Sequence, residues 1–236
     1  METVILAGGK GSRLAPFTSE IPKPLVRVGD IPVIDILLQR LKLHGVKKVT
    51  IAVNHLSHLI TAALGDGSKY GLDIVYSHEE EPLSTVGPLK LIRNLPENFL
   101  VANGDIITDL NFKELYQFHL KAKALVTVAV YQRKVLSDFG VIEVNESGYV
   151  RSFREKPVFD FTVSAGIYVF SKKVLDFIPD GKKYGFDDLM ISLLEQCLPI
   201  ATFPFNGYWL DIGRVEDYQQ ANNDIEIIRN LIKTYY

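Results

Sequence analysis

The chain has 236 residues, 47% hydrophobic and 23% charged, with 17 Gly and 11 Pro, an ordinary globular composition that excludes disorder, collagen and coiled coil. Lys+Arg 26 against Asp+Glu 28 leave a formal net charge of -2, so no global positive field recruits nucleic acid or anionic lipid, and an anionic ligand must be held locally. The one cysteine, Cys197, has no partner for an internal disulfide and the chain has no thiol cluster for a metal, which fits a reducing, cytoplasmic setting without membrane attachment.

Residues 3–7 form a strand-like apolar start, too short for a signal peptide, and no apolar run approaches the ~20 residues of a bilayer span. Strands are read at 3–6, 49–53, 72–76, 99–101 and 125–131. Between the first two, Val33, Ile36, Leu37, Arg40, Leu41 and His44 follow the i, i+3, i+4 spacing of an amphipathic helix, with Pro32 at its start and Gly45 at its end. Further helices are read at 56–64, 88–93 and 112–121, each before a strand. The fold class is therefore α/β, with a doubly wound, mostly parallel, Rossmann-like sheet whose ligands sit at the carboxyl ends of the strands. After Tyr131 the texture changes to strand-like pieces at 141–144, 150–153 and 162–170, the first two joined by the turn Asn145-Glu146-Ser147-Gly148. This portion reads as a smaller antiparallel lid, and residues 215–231 as a closing helix. One domain over 1–236 is expected, with halves at about 1–131 and 132–236. Cys197 reads as a small buried hydrophobe within an apolar helix.

Directly after the first strand comes Leu6-Ala7-Gly8-Gly9-Lys10-Gly11-Ser12-Arg13-Leu14, then Pro22-Lys23-Pro24-Leu25. Three glycines in four positions let backbone N–H groups approach a phosphate chain, and Arg13 and Lys23 can neutralise its charge. The glycine spacing fits neither the dinucleotide pattern nor the P-loop, which disfavours a nicotinamide dehydrogenase or a P-loop kinase. Histidines 44, 55, 58, 78 and 119 lack a compact metal-ligand spacing, so no catalytic or metal histidine stands out.

The string from Leu6 to Leu25 resembles the signature of the sugar-1-phosphate nucleotidyltransferases, and later segments match that family in order. They are Glu81-Pro82-Leu83-Ser84-Thr85-Val86-Gly87-Pro88-Leu89, Asn103-Gly104-Asp105, Phe153-Arg154-Glu155-Lys156-Pro157, Ser164-Ala165-Gly166-Ile167-Tyr168 and Trp209-Leu210-Asp211-Ile212-Gly213. The chain is most similar to the mannose-1-phosphate guanylyltransferase-like members, as a catalytic domain without their C-terminal β-helix. The resemblance implies an Mg²⁺-dependent enzyme that joins an NTP, with GTP favoured, to a mannose- or heptose-type sugar 1-phosphate, releasing pyrophosphate. A possible homodimer is its only implied protein partner.

The resemblance also distributes roles. Leu6, Ala7, Gly8, Gly9, Gly11 and Ser12, with Thr85, Gly87, Asn103 and Gly104, belong to the nucleotide. Arg13, Lys23 and Asp105 are the catalytic set, and Asp105 and Asp211 share the Mg²⁺. Gly140, Glu155, Lys156 and Ser164 belong to the sugar phosphate. Ser84 and Ser164 depart from the Gly and Asn common at these places, which loosens base and sugar identity. The alternatives are a UTP- or dTTP-dependent transferase, transfer to a different phospho-alcohol, and a noncatalytic nucleotide-sugar-binding subunit.

Overall fold

A computed structural model describes residues 1–233. The chain opens with β1 (Glu2–Leu6), a ribbon of β2 (Arg27–Val28) and β3 (Ile31–Pro32), and helix α1 (Val33–Leu43), followed by β4 (Lys48–Val53), α2 (Ser57–Leu64) and β5 (Asp73–His78). Pro32 caps α1 at its start, and Gly45 takes φ 83° just past its end, so the anticipated punctuation holds. Next come β6 (Asn98–Asn103), β7 (Ile106–Thr108), α3 (Phe112–Ala122), β8 (Val126–Leu136), β9 (Val141–Val144), β10 (Val150–Arg154) and β11 (Val158–Ser171). The chain closes with α4 (Phe186–Glu195), β12 (Ile200–Phe205), β13 (Trp209–Asp211), α5 (Val215–Asn223) and α6 (Ile225–Ile232).

Seven strands form the central sheet in the order β12-β8-β11-β6-β1-β4-β5. Neighbours are parallel throughout except at β11, which runs antiparallel to both β6 and β8. Alternating side chains cover the two faces: Ile5, Val49, Ile51, Leu100 and Ala102 pack with α1, α2 and α3, while Val4, Phe99, Val101, Tyr168 and Phe170 pack with α4. This double burial explains why these strands read as continuous apolar runs. The chain moves outward from β1 through β4 to β5 and then returns to place β6 on the opposite side of β1. The switch point, where open α/β sheets take their ligands, thus lies between β1 and β6.

Four expectations are corrected. Residues 88–93 form no α-helix but a 3₁₀ turn, Gly87–Leu91, which places Val86 and Leu89 in the core and ends before Asn94 at φ 64°. The piece at 162–170 is not part of a lid: β11 starts at Val158 and its second half fills the centre of the main sheet. The closing segment is two helices that meet at Asp224. Cys197 is exposed at φ 53°, two residues past α4, because Leu198 N–H bonds back to Leu193 O and Cys197 N–H to Leu194 O, the paired bonds of a left-handed helix stop.

The antiparallel portion survives as an arm. β8 is buried from Val126 to Ala129 and exposed from Gln132 onward, where it pairs with the first half of β11, and β9–β10 is a hairpin beside them. Asn145 makes its turn, accepting from Ser147 and Tyr149 N–H while Gly148 takes φ 82°.

Candidate active site

A cleft of about 630 Å³ opens at the carboxyl ends of β1, β4 and β6, with Leu6, Ala52 and Asn103 in its floor. The loop after β1 forms one wall. Among the described residues, the backbone N–H groups of Gly8 through Arg13 find no acceptor within the fold, so six consecutive donors are left for a ligand. The loop is nonetheless held: Thr18 Oγ1 donates to Gly11 O at 2.8 Å, Leu14 is fully buried, and Gly11 takes φ 64°, where a Cβ would press on Thr18 and Lys23. Arg13 and Lys10 line the same cleft without a salt-bridge partner among the described residues. The geometry is that of an anion cradle with loose cations at its rim.

Beside the loop stand two carboxylates, next to Lys23, whose Cβ lies 3.2 Å from where a Cβ on Gly11 would stand. Asp105 follows β6 by two residues, and Asp211 ends β13, which pairs with β7 so that Asp211 lies opposite Ile106. Ile212 N–H donates to Asp105 O at 3.0 Å and locks the two segments together. The Lys23 ammonium donates to Asp105 Oδ2 and lies 3.6 Å from Asp211 Oδ1. One oxygen of each acid, Oδ1 in both, is buried without a hydrogen bond among the described residues. Burial, and then the Asp105 charge, push Asp211 up to about 6, against the pull of Lys23 and Arg13. Acids with enclosed, unpaired oxygens fit a hard cation, and two carboxylates completed by substrate phosphates and water are a donor set that Mg²⁺ takes. No group of three or more His, Cys, Asp or Glu with metal-site geometry occurs among the described residues.

The opposite wall comes from the segment after β5. Glu79 is half-buried; its Oε2 accepts from Leu83 N–H at 3.0 Å, while Oε1 lies 2.6 Å from where a Cβ on Gly8 would stand. Asn54 Nδ2 donates to Glu79 O at 3.0 Å, and burial pushes the Glu79 carboxyl up. Pro82, Ser84, Thr85 and Lys183 complete this side. Lys183 is brought in by backbone bonds between the 83–87 segment and Tyr184.

The structure therefore gathers Leu6, Ala7, Gly8, Gly9, Gly11, Ser12, Arg13, Lys23, Thr85, Asn103 and Asp105 around one cleft, with Asp211 against Lys23. Gly87 and Gly104 do not line it. A Cβ on Gly87 would meet Leu83 and Lys182 O, and one on Gly104 would meet Leu6 O and Pro24, so both are there for close packing behind the wall. Gly140, Glu155, Lys156 and Ser164 also lie outside the lining. Gly140 and Glu155 are neighbours at the foot of the hairpin, where a Cβ on Gly140 would stand 3.1 Å from Glu155 Oε2; Lys156 takes φ 43°. Ser164 sits at the break in the β8–β11 register, its hydroxyl donating to the Tyr168 hydroxyl at 3.1 Å and accepting from Gly166 N–H. Tyr168 is 4% exposed and pushed up to about 12, by burial first and then by Asp211 and Asp105.

Sequence reasoning missed Asn54, Glu79, Lys183 and Gly166. Gly166 takes φ 70°, and a Cβ there would come within 2.7 Å of Asn103 Nδ2. It lay inside a quoted motif, and its requirement for glycine was the available signal. The other three lie outside the quoted motifs, and only the fold carries them to the cleft. Tyr70 and Tyr208 bond to Asp35 and Asp224, and Trp209 donates to Ala165 O at 2.9 Å beside Tyr131, so all three are structural.

An open α/β sheet with an amide-lined loop and, beside it, two carboxylates each holding an enclosed, unpaired oxygen defines a protein built to handle phosphate esters. Residues 2–227 match the nucleotidyl transferase family, and the chain belongs to it. It is 33% identical to a UTP–glucose-1-phosphate uridylyltransferase of Synechocystis over 94% of this chain and 62% of the relative. It is 36% identical to a mannose-1-phosphate guanyltransferase of Yarrowia lipolytica over 92% of this chain and 62% of the relative. The chain thus spans about three fifths of the length of these curated relatives. Among solved structures, HddC from Yersinia pseudotuberculosis superposes with a TM-score of 0.76 at 26% identity, covering 95% of this chain and 99% of that one, and is also known in complex with GMP-PN.

Proposed function

We propose that the protein transfers the nucleotidyl group of an NTP, with GTP favoured, to a mannose- or heptose-type sugar 1-phosphate. The products are an NDP-sugar and pyrophosphate. The observation that carries this reading is a row of unsatisfied loop amides in one cleft with the Asp105–Asp211 pair beside it, joined through Lys23. The relatives, named as a guanyltransferase and a uridylyltransferase of sugar 1-phosphates, support the same reaction class.

The sugar 1-phosphate oxygen attacks the α-phosphorus in line, and the bond to the β-phosphate oxygen breaks as pyrophosphate leaves. No general base is needed, since the attacking oxygen is already anionic. The protein's task is to hold two polyanions together. The Gly8–Arg13 amides cradle the leaving phosphates, Arg13 neutralises them, and Asn103 and Gly104 set the backbone from which Asp105 projects. Asp105 and Asp211 would hold Mg²⁺, which when bound screens phosphate charge and polarises the α-phosphoryl group. On this reading the sugar phosphate is met by Gly140, Glu155, Lys156 and Ser164, in the half from 132 onward and beyond the lining of the nucleotide cleft.

The base is favoured as guanine because Glu79 offers a carboxylate to the cleft. Guanine presents adjacent N1–H and exocyclic NH₂ donors that a carboxylate accepts together, whereas uracil and thymine offer one N–H flanked by carbonyl oxygens that repel it. The uridylyltransferase relative keeps UTP as the second reading. Pyrophosphate release with Mg²⁺ over GTP, UTP, dTTP, CTP and ATP against mannose, glucose, N-acetylglucosamine and heptose 1-phosphates tests both. An active GTP cell is expected; a silent matrix with retained nucleotide binding would replace the transferase by a binding subunit.

A further inference from the structure

Lys23 and the two acids it faces carry an inference that rests on the metal reading above. The ammonium donates to Asp105 Oδ2 and lies 3.6 Å from Asp211 Oδ1, so a single cation serves both carboxylates. Lys23 and Asp105 are largely enclosed, 13% and 17% exposed, while the Asp211 side chain is 37% exposed with only its Oδ1 shut off from solvent. The compensation is incomplete: among the described residues Lys23 is the one cation within 4.0 Å of the two acids, Arg13 acts on Asp211 only from further off, and one oxygen of each acid has no hydrogen bond. Such an arrangement yields to a cation of higher charge. An ammonium and a divalent ion repel, so both cannot sit between the same oxygens.

We propose that Lys23 is an internal stand-in for the divalent metal, holding Asp105 and Asp211 together until metal binding releases its ammonium into the cleft toward the nucleotide phosphates. The side chain already lines that cleft, so the movement is a change of rotamer rather than of backbone. Pro22 and Pro24 flank Lys23 in the 3₁₀ turn and fix its main chain. Metal and nucleotide each favour the released lysine, and by linkage each tightens the other.

The test is Mn²⁺ binding to nucleotide-free protein, read by electron paramagnetic resonance, in wild type, Lys23→Met and Lys23→Gln. Removing the competing charge should tighten Mn²⁺ at least about tenfold in both variants. It should also lower metal-free thermal stability, with a larger recovery on adding Mn²⁺ than wild type shows. Unchanged or weaker Mn²⁺ affinity in either folded variant overturns the proposal. Wild-type protein with nucleotide is the control: Mn²⁺ bound there, with no gain in the variants, removes only the stand-in role, whereas no Mn²⁺ signal in any sample removes the metal reading as well. A second measurement needs no variant. Metal alone should raise reductive methylation of the Lys23 amine severalfold by mass spectrometry, and an unchanged rate overturns the proposal.

Discussion

The two halves of this chain use opposite physics. Up to Val130 the inner strands β1, β4 and β6 are covered on both faces, with Ile5, Ile51, Phe99, Leu100 and Ala102 fully buried. From Gln132 to Thr162 the arm is open on both faces: Phe139, Tyr149 and Phe153 are 79%, 73% and 60% exposed. Rigid placement of phosphate-handling groups demands the first kind of support. The arm has few buried contacts and belongs to the low-stability end of the molecule, where ligand-responsive parts are drawn from.

The largest break in this contrast should come from the carboxylates. Asp105→Ala should lower metal-dependent kcat by about 10³-fold or more while the protein stays folded, as seen in pyrophosphate release beside circular dichroism. Asp211→Asn should do likewise and separates activity from stability. Asp211 titrates near 6 in the fold against an ordinary 3.8, so the native state prefers the neutral acid. Its contribution to stability is fully present below about pH 3.8 and is lost as pH rises through about 6. The Asn variant should therefore melt no lower than wild type at pH 7.5 in metal-free buffer, as read by thermal unfolding.

Within the buried half, Phe99→Ala should cost about 3–5 kcal/mol in denaturant unfolding. His119→Ala should cost about 2 kcal/mol, since the imidazole bridges Thr127 Oγ1 at 2.8 Å and Asn98 Oδ1 at 3.0 Å and both would be stranded. Burial holds His119 below its ordinary pKa, so this stability is present above about pH 6.5 and drains as pH falls beneath it. Glu79→Gln should leave the fold alone and shrink the ratio of GTP to UTP kcat/KM by about tenfold or more; an unchanged ratio would remove Glu79 from base choice. The smallest effects belong to the arm. Phe153→Ala, or loss of the exposed Arg154–Glu143 pair at 3.2 Å, should change global stability by about 0.5 kcal/mol or less, while a larger loss would show the arm to be part of the core.

The sequence determined by itself what depends on local chemistry. Apolar runs between amphipathic stretches specified a doubly covered sheet, Pro32 and Gly45 bounded α1, and the glycines after β1 announced a backbone that must approach an anion. Asp105 was legible because Asn103-Gly104-Asp105 follows an apolar strand run and resembles a family motif; as an isolated residue it reads as a turn or cap. Tertiary structure alone decided the rest. That β11 turns antiparallel into the sheet centre depends on pairing with β6 and β8 across long sequence separations, which no local pattern encodes. Asp211 reaches Asp105 only because β13 pairs with β7, and Lys23 reaches both from a turn 82 residues before Asp105. Glu79 and Lys183 have ordinary surface-charge surroundings in sequence, and only the packing of their loops against Gly8 and Tyr184 turns them into cleft walls. Periodicity reports which face of an element is buried, whereas the meeting of distant side chains is set by strand order and register, which form only when the whole core does.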